Sequence, residues 1–420
     1  MALDISGYSN VLKEFYEAPV RDAINSTVVA FKKLDETDRQ WAGKYVTFPI
    51  HKTRNNGVGA RGEGVALPDA GAQGYDAVQI SATYQYGRIK ISGQVMEAGK
   101  NAFADALDSE LRFLTKDLIS DLGRQTHGFG DGRIAQVGAT AASACAVVVY
   151  NRFAEPGQPG ARYVYVGESL DMGTVASPTS LISSAVVKTI AISSNPATNT
   201  DSIAFSGSYI TLVSQCETYI FNRGAGGTGI EMMGINGLVD DYTQANMWGS
   251  NAFFGATLHG INRSTSTYWN SIILGNSGTE RVVNPFLLQT AFDKVDTESG
   301  FEVDTIWGHH TCVTAFQEAV AGDRRYNSPV FDVRGDKMSF DGIALIKDRQ
   351  AAYNQLLLMN RSALKLYTLS DFKWADEDGQ VLNKVSGYDQ YEAFFRCYKN
   401  IGLDDNPKKA LIIRDIKVDF

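Results

Sequence analysis

The chain has 420 residues and a mass of 45.8 kDa, enough for roughly two or three domains with a large apolar core. Hydrophobic residues make up 44% of the sequence and charged residues 20%, values that exclude a disordered or fibrous chain. The formal net charge of −8 argues against a dedicated nucleic-acid-binding protein, which would carry a basic face.

Targeting segments and cysteine motifs are not evident in the sequence. The N-terminus has neither the basic region nor the apolar run of a signal peptide, and the longest apolar stretch, 141–150, is too short to cross a membrane. The four cysteines, at positions 145, 216, 312 and 397, are too far apart for a zinc or redox motif. This cysteine usage is typical of a protein made in a reducing cytoplasm.

Residues 1–45 are predicted to contain a short amphipathic helix. Val20, Ile24, Val28 and Phe31 recur at three- and four-residue spacing, which places them on one helical face. Two interpretations remain open at this point. The helix could pack on its own domain, or it could be an N-terminal arm that docks on a neighbouring subunit.

Residues 46–92 are predicted to form one extended hairpin. Apolar residues alternate on a first arm, 46–50, and on a second arm, 78–86. The alternation slips at Gly87, which predicts a bulge or bend there. The segment between the arms, 53–77, contains six glycines, and the hairpin has more basic than acidic residues. A loop of that length is usually functional or disordered. Because a lone two-stranded ribbon is marginally stable, we expect the hairpin to lie on another surface.

The strongest helical pattern lies in residues 93–135. Apolar residues recur at three- and four-residue spacing, Ser92 is a suitable N-cap, and glycines at 128, 130 and 132 end the pattern. A helix of about 30 residues would be roughly 45 Å long, which predicts a structural spine. The side chains predicted to form its buried face are Phe103, Leu107, Leu111, Leu114, Leu118 and Leu122.

Residues 136–235 have a different composition from the rest of the chain. They contain ten charged residues in a hundred, and short alternating runs of Ser, Thr, Val and Ile occur at 163–166, 186–192, 209–213 and 217–221. The pattern predicts a small antiparallel β-rich insertion.

The remaining sequence is predicted to be mixed α/β from 236 to 385 and to end with closing strands in 386–420. Asn284 and Pro285 form a helix-start signal for a helix that continues to about 295. Strands are predicted at 301–307, 340–346, 355–359, 391–397 and 410–418, a second helix at 314–320, and a polar loop at 322–337.

Several motifs resemble sites of chemistry but lack the context that chemistry needs. Two stretches, 57–62 and 224–229, have the glycine spacing of a dinucleotide loop, yet neither is followed by a helical pattern. Adjacent histidines at 309 and 310, with Cys312, suit a strand end better than a metal site. Residues 376–379 lack the glutamate that would complete a calcium loop. No catalytic residue, metal site or cofactor is predicted.

The order of the predicted elements resembles that of the major capsid proteins of tailed bacteriophages, which have the Hong Kong 97-type shell fold. The hairpin is similar to the E-loop of that family, and the long helix is similar to its spine helix. The stretches that carry the likeness are 47–91, 93–125, 301–326, 342–348, 371–374, 378–379 and 388–392. Residues 136–235 are the least typical part.

The resemblance implies an α+β fold with an N-terminal arm, an extended E-loop hairpin, a long spine helix, a β-rich insertion and a mixed α/β axial domain. Residues 236–385 would form mainly the axial domain, and the closing strands in 386–420 would join the spine helix in a peripheral domain. It also implies a non-enzymatic subunit that assembles into hexamers and pentamers of an icosahedral shell around double-stranded DNA. The E-loop residues expected to contact a neighbouring subunit are Lys52, Arg54, Arg61, Glu63 and Arg88. The residues expected at the capsomer axis are Asp323, Arg324, Arg325, Asp332, Arg334, Asp336 and Lys337.

The partners implied by the resemblance are further copies of the chain, a separate scaffolding protein, a portal and decoration proteins. Packaged DNA would lie on the inner face without sequence-specific contacts, and neither a membrane nor a cofactor is expected. The subunit would be made in the cytoplasm of a host bacterium and would end in the virion head. An encapsulin-type cellular compartment is the alternative function, and a nucleotide-binding enzyme is a more distant one.

Overall fold

A computed structural model describes residues 17–69, 71–94, 100–140, 146–153, 160–192, 201–206, 218–242, 257–321, 338–376 and 380–418. Residues 17–18, 100–108, 139–140, 182–184 and 321 are described by their backbone alone. The helices are α1 Glu17–Thr27, α2 Val29–Lys33, α3 Lys100–Thr126, α4 Ile235–Leu238, α5 Pro285–Ser299 and α6 His310–Ala321.

The strands form two sheets, a hairpin, a barrel and a two-stranded ribbon. In the first half of the chain they are β1 Asp35–Glu36, β2 Tyr45–Thr53, β3 Gly74–Ser81, β4 Thr83–Ser92, β5 Arg133–Thr140, β6 Ala146–Asn151, β7 Ser169–Gly173, β8 Ile182–Ala191, β9 Asp201–Phe205 and β10 Tyr219–Asn222. In the second half they are β11 Thr257–Leu258, β12 Ile261–Asn262, β13 Ile272–Leu274, β14 Thr305–Gly308, β15 Ser339–Phe340, β16 Ile343–Lys347, β17 Leu356–Met359, β18 Leu364–Trp374, β19 Asn383–Lys384, β20 Gln390–Leu403 and β21 Ala410–Ile413.

The N-terminal helix packs on its own chain. Val20, Ile24 and Val28 are at most 7% exposed and belong to the main apolar core. The strand that follows, β1, pairs in parallel with β18. The described part of the predicted arm is therefore built into the subunit, which decides between the two interpretations for residues 17–36; residues 1–16 lie outside the described residues.

The predicted hairpin over residues 46–92 is corrected in its second arm. Strands β2 and β3 pair antiparallel, with Phe48 opposite Val78, but β4 leaves them and pairs along its whole length with β20. The change of sheet occurs at Ala82 and Thr83, two consecutive buried residues, and not at Gly87. An alternating pattern identifies the two faces of a strand but not its partner, so the sequence could not separate β4 from the hairpin.

The spine helix α3 packs across β4. Its 27 residues give a length of about 40 Å. Leu111 and Leu122 are 2% and 1% exposed, while Leu114 and Leu118 are half-buried and pack against the same core. The side chains of Phe103 and Leu107, the other two predicted members of this face, lie outside the described residues.

Gly87 permits the close packing of the spine helix on β4. A Cβ atom at this position would lie 3.0 Å from a methyl carbon of Leu114 and 3.1 Å from one of Leu118. These distances are tighter than an ordinary van der Waals contact. The glycine that interrupts the sequence pattern therefore marks a helix–strand crossing and not a bulge.

The chain passes from one large sheet to the other and back. The predicted domain boundary near residue 385 therefore does not separate the two sheets. The five-stranded sheet has the order β1-β18-β20-β19 with β4 on β20, and the six-stranded sheet has the order β13-β21-β17-β14-β16-β15. Strand β18 thus lies in the sheet of the spine helix although it falls within 236–385. The last strand, β21, falls within 386–420 but pairs with β13 and β17 in the other sheet.

The six-stranded sheet separates two apolar cores. In β17 and β21 every residue is buried, and alternate residues face opposite sides. Leu357 and Ile412 join the core of the spine helix, whereas Leu358 and Leu411 join the core beneath α5 and α6. As the sequence predicted, α5 starts next to Asn284, whose side chain accepts a hydrogen bond from the Leu287 amide at 2.8 Å.

Residues following the spine helix form a closed antiparallel barrel with the order β10-β5-β6-β9-β8-β7. Its own apolar core includes Val137, Val149, Val187 and Ile203. The barrel confirms the predicted β-rich character but begins at Arg133, and residues 163–166 are not a strand. No helix in the described part of the chain has both the length and the apolar character needed to cross a lipid bilayer.

The packing predicts a contrast between two residues of the spine helix. Leu111→Ala should lower the free energy of unfolding of the free subunit by about 2–5 kcal/mol, because it leaves a cavity in the core. Phe113→Ala, on the opposite face where the ring is 58% exposed, should change it by at most about 0.5 kcal/mol. Denaturant titration of both variants measures the difference. Equal losses would show that this helix does not bury the face containing Leu111.

Candidate assembly surfaces

The base of the hairpin is fixed to the rest of the subunit. The amide of Gln79 donates a hydrogen bond of 2.9 Å to the carbonyl of His259. Asp76 accepts hydrogen bonds from the Tyr268 hydroxyl and from Lys52, whose Nζ lies 3.1 Å away. These two hydrogen bonds lower the pKa of the Asp76 carboxyl. These contacts fix the direction in which the hairpin projects from the subunit.

The distal part of the hairpin, residues 54–73, is stabilised by its own backbone. Asn55 accepts a hydrogen bond of 2.7 Å from the Gly57 amide, and the Val65 amide donates to the Gly62 carbonyl. In the described residues, the hydrogen bonds of this segment stay between positions 53 and 75. The segment has a folded shape but does not pack on the core.

Three apolar side chains project from this distal segment into solvent. Val58, Val65 and Leu67 are 63%, 61% and 83% exposed. Single exposed apolar residues are common on protein surfaces, but three within ten residues of a projecting loop indicate a contact surface. Sequence reasoning singled out the basic residues of this segment and missed the apolar ones, although their positions are visible between the glycines.

The predicted contact residues of the E-loop are in three different places. Arg54, Arg61 and Glu63 are exposed on the distal segment. Lys52 lies at the base and forms an ion pair with Asp76. Arg88 does not belong to the hairpin at all, because it lies on β4 and pairs with Glu392 of β20 in the five-stranded sheet.

The predicted capsomer-axis loop lies outside the described residues. It covers positions 322–337 and includes Asp323, Arg324, Arg325, Asp332, Arg334, Asp336 and Lys337. The described chain stops at the end of α6 and resumes at Met338, next to β15. Strand β15 is the last strand in the order of the six-stranded sheet.

A buried polar junction lies at the C-terminal end of the spine helix, and sequence reasoning missed it. Arg124 is 2% exposed, and its Nη2 lies 2.7 Å from Asp121 and 2.5 Å from Glu231. Asp121 comes from the same helix turn, whereas Glu231 comes from the segment that follows the barrel. The ion pair therefore joins the end of the spine helix to the end of the barrel.

The same helix end contacts the barrel and the segment between β16 and β17. Arg152 of the barrel donates to the carbonyl of Arg124 at 2.6 Å and to that of Gln350 at 3.3 Å. His127 lies 2.9 Å from Asp348, and both side chains are 5% exposed. Three parts of the chain that are distant in sequence thus meet at the last turn of one helix.

Electrostatics at the junction shift the titration of a glutamate towards neutral pH. Burial raises the pKa of the Glu231 carboxyl to about 7, and the attraction of Arg124 offsets only part of that effect. For Arg124, burial opposes ionisation, but Asp121 and Glu231 outweigh it and raise the pKa of the guanidinium. Arg124 therefore keeps its charge while one of its two carboxylate partners titrates.

The glycine motif at 224–229 packs against this junction. The Gly229 amide donates to the Gly130 carbonyl at 2.8 Å, and the Gly227 amide donates to the Asp131 carbonyl at 3.0 Å. A Cβ atom on Gly132 would lie 2.0 Å from the carbonyl of Ala225. Two of the amides that a phosphate would need are thus already used, and the glycines permit a close contact between two turns.

Of the two adjacent histidines that follow β14, His309 is buried within the subunit, whereas His310 is exposed. Burial lowers the pKa of His309 to about 3, and its Nδ1 lies 2.8 Å from the Thr311 hydroxyl. Cys312 lies next to the carbonyl of Tyr353. Within the described residues, no three histidine, cysteine or acidic side chains are arranged to hold a metal ion. Residues 377–379, part of the calcium-like stretch, lie outside the described residues.

Comparison with known proteins rests on structure, because no protein-family model and no curated protein sequence matches the chain. The capsid asymmetric unit of cyanophage A-1(L) has a TM-score of 0.52 and 12% identity, over 91% of this chain and 90% of that chain. The chain has the fold of a phage capsid protein. The α+β capsid fold that the sequence predicted is thereby confirmed.

Two further structures are similar at lower scores. The capsid of an empty GTA particle has a TM-score of 0.48 and 7% identity, over 93% of this chain and 90% of that chain. The holo-SrpI encapsulin complex from Synechococcus elongatus PCC 7942 has a TM-score of 0.27 and 12% identity. That match spans 36% of this chain and 57% of the encapsulin chain.

The titration of Glu231 predicts how stability depends on pH in this capsid fold. Because the folded pKa of about 7 lies above the ordinary value of 4.5, the stabilising contribution is complete below pH 4.5 and is lost as pH rises to 7. The loss should be about 3 kcal/mol. Glu231→Gln cannot titrate, so the variant should lack this component.

The measurement is the difference in unfolding free energy between the wild type and Glu231→Gln, from pH 4.5 to pH 7.5. The difference is needed because His309, whose pKa is lowered, contributes stability with the opposite pH dependence over part of this range. Stability differences that stay constant across the range would contradict a raised pKa at Glu231.

Proposed function

We propose that the chain is the major capsid subunit of a tailed bacteriophage. Copies assemble into hexamers and pentamers that close an icosahedral head around double-stranded DNA. The observation that supports this most directly is the projecting hairpin, which has a fixed base and an exposed apolar end on a subunit with a capsid fold. Exposed apolar side chains on a projecting segment do not stabilise the isolated subunit, but they can be buried against another copy.

Assembly can rest on weak contacts because each subunit makes several at once. Burying three apolar side chains would contribute a few kcal/mol per hairpin, at about 25 cal/mol per Å² of apolar surface removed from water. The symmetry of a closed shell repeats that contact in every subunit. The hairpin contact therefore does not need to hold an isolated pair of subunits together.

We also propose positions in the shell for two other parts of the subunit. The loop 322–337 lies around the capsomer axis, where its four basic and three acidic residues can pair between neighbouring copies. The barrel, which has its own apolar core, projects from the outer surface of the shell. A separate scaffolding protein, a portal and decoration proteins assist assembly, and DNA contacts the inner face without sequence readout.

The two alternative functions have weaker support. The likeness to the encapsulin covers 36% of this chain, at a TM-score of 0.27. An enzyme that uses the glycine motifs would need free backbone amides next to a helix start. The first motif lies in the exposed hairpin, and the second uses amides of Gly227 and Gly229 for contacts within the subunit.

The hairpin contact can be tested by adding a charge to its apolar end. Leu67→Asp, at a position that is 83% exposed, should leave the subunit folded and reduce particle formation by more than tenfold. Ile192→Asp is the control, since Ile192 is 75% exposed on the barrel. Sedimentation and negative-stain electron microscopy measure the yield of particles. Full assembly of the Leu67→Asp protein would contradict the proposal.

The basic residues of the hairpin should contribute through charge. Replacing both Arg54 and Arg61 with Glu should block assembly at low salt and leave a soluble subunit. Added salt should restore part of the particle yield, because ions screen the new repulsion. Replacing both residues with Gln should have a smaller effect that varies less with salt. A normal yield for the Glu variant at low salt would show that these residues face solvent in the shell.

A further inference from the structure

The sequence contains two asparagine–glycine pairs, and the structure places them in opposite environments. Asn56 and Gly57 lie in the distal part of the hairpin, whereas Asn236 and Gly237 form the middle of α4. Asn56 is exposed, and Asn236 is 5% exposed. Such a pair is chemically labile where the chain can move, because glycine has no side chain to hinder attack of its own amide nitrogen on the preceding asparagine.

The buried pair is held by the chain around it. The Asn236 side chain donates a hydrogen bond of 3.0 Å to the carbonyl of His127. The Gly237 amide donates to the carbonyls of Gly128 and Gly234, at 3.3 and 3.1 Å. The Gly237 nitrogen therefore cannot reach the side chain of Asn236 unless this part of the core opens.

The exposed pair is restrained much less. The Gly57 amide donates to the side-chain oxygen of Asn55 at 2.7 Å, and both residues belong to the same exposed loop. The Asn56 side chain has no hydrogen bond to any residue that the structure describes. Because the distal hairpin does not pack on the core, the backbone motion that brings the two groups together needs no opening of the subunit.

We propose that Asn56 is a site of spontaneous deamidation in the free subunit. The Gly57 amide nitrogen loses its proton to hydroxide and attacks the side-chain carbonyl carbon of Asn56. A bond forms between that carbon and the Gly57 nitrogen, the bond from the carbon to Nδ2 breaks, and ammonia leaves after taking a proton from water. Water then opens the succinimide ring, which yields aspartate or isoaspartate and adds one negative charge.

The effect on assembly rests on the proposed function. Asn56 lies between Arg54 and Val58, in the segment that we propose to contact a neighbouring copy. A new carboxylate in that contact would cost free energy when it is buried, and isoaspartate would also change the path of the backbone. Free subunits would therefore lose the ability to assemble with time.

Peptide mass spectrometry of the purified full-length subunit tests the modification without any assembly step. During incubation at pH 8.5, the peptide that contains Asn56 should gain the mass of an amide-to-acid conversion. The peptide that contains Asn236 should convert more slowly by about tenfold or more, because its conversion requires opening of the core. In denaturant the two pairs should convert at similar rates, which makes the unfolded chain the matched control.

Two outcomes would overturn the proposal. One is an intact Asn56 in the folded subunit after the time in which the denatured chain converts completely. The other is equal conversion of Asn56 and Asn236 in the folded subunit, which would show that the structure does not distinguish the two pairs.

The effect on assembly is tested with two variants at the same exposed position. Asn56→Asp, which reproduces one product, should lower the particle yield, whereas Asn56→Gln should keep its yield after incubation because glutamine cyclises far more slowly. Full assembly of Asn56→Asp and of incubated wild type in which Asn56 has converted would overturn this effect. The hairpin contact itself would still be judged by Leu67→Asp, so the two failures can be told apart.

Discussion

A long helix that ends inside a protein must have partners for its last carbonyl groups and for any charge in its last turn. The spine helix ends in this way, and the rest of the subunit is arranged around that end. Arg124 forms an ion pair with Glu231, and this contact fixes the position of the segment that follows the barrel. The carbonyl of Arg124 accepts a hydrogen bond from Arg152, which places the barrel itself. The barrel can therefore be a large insertion and still have a fixed position.

The subunit has a rigid part, held together by internal contacts, and a projecting part that is available for assembly. The spine helix, both large sheets and the base of the hairpin share apolar cores or direct hydrogen bonds. As far as its residues are described, the distal hairpin shares neither, because its hydrogen bonds stay within the segment. A rigid base with a projecting end holds the contact surface in one orientation, which reduces the entropy lost when a neighbour binds.

Local signals in the sequence were sufficient where the structure depends on local contacts. The leucine stripe predicted the spine helix, and Asn284 with Pro285 predicted the start of α5. Partners distant in the sequence could not be predicted, which is why β4 was placed in the hairpin and β21 among the strands of the wrong sheet. Arg124 and Glu231 were missed for the same reason, since a charge in a helix is usually a solvated one.

In the assembly that we propose, subunits meet through the distal hairpin. Hydrogen–deuterium exchange, compared between the free subunit and purified particles, tests it directly for each segment. Amides of residues 54–73 should exchange rapidly in the free subunit and become protected in particles, whereas amides of the barrel core should exchange at the same rate in both. Unchanged exchange in residues 54–73 would show that the distal hairpin does not contact a neighbouring subunit.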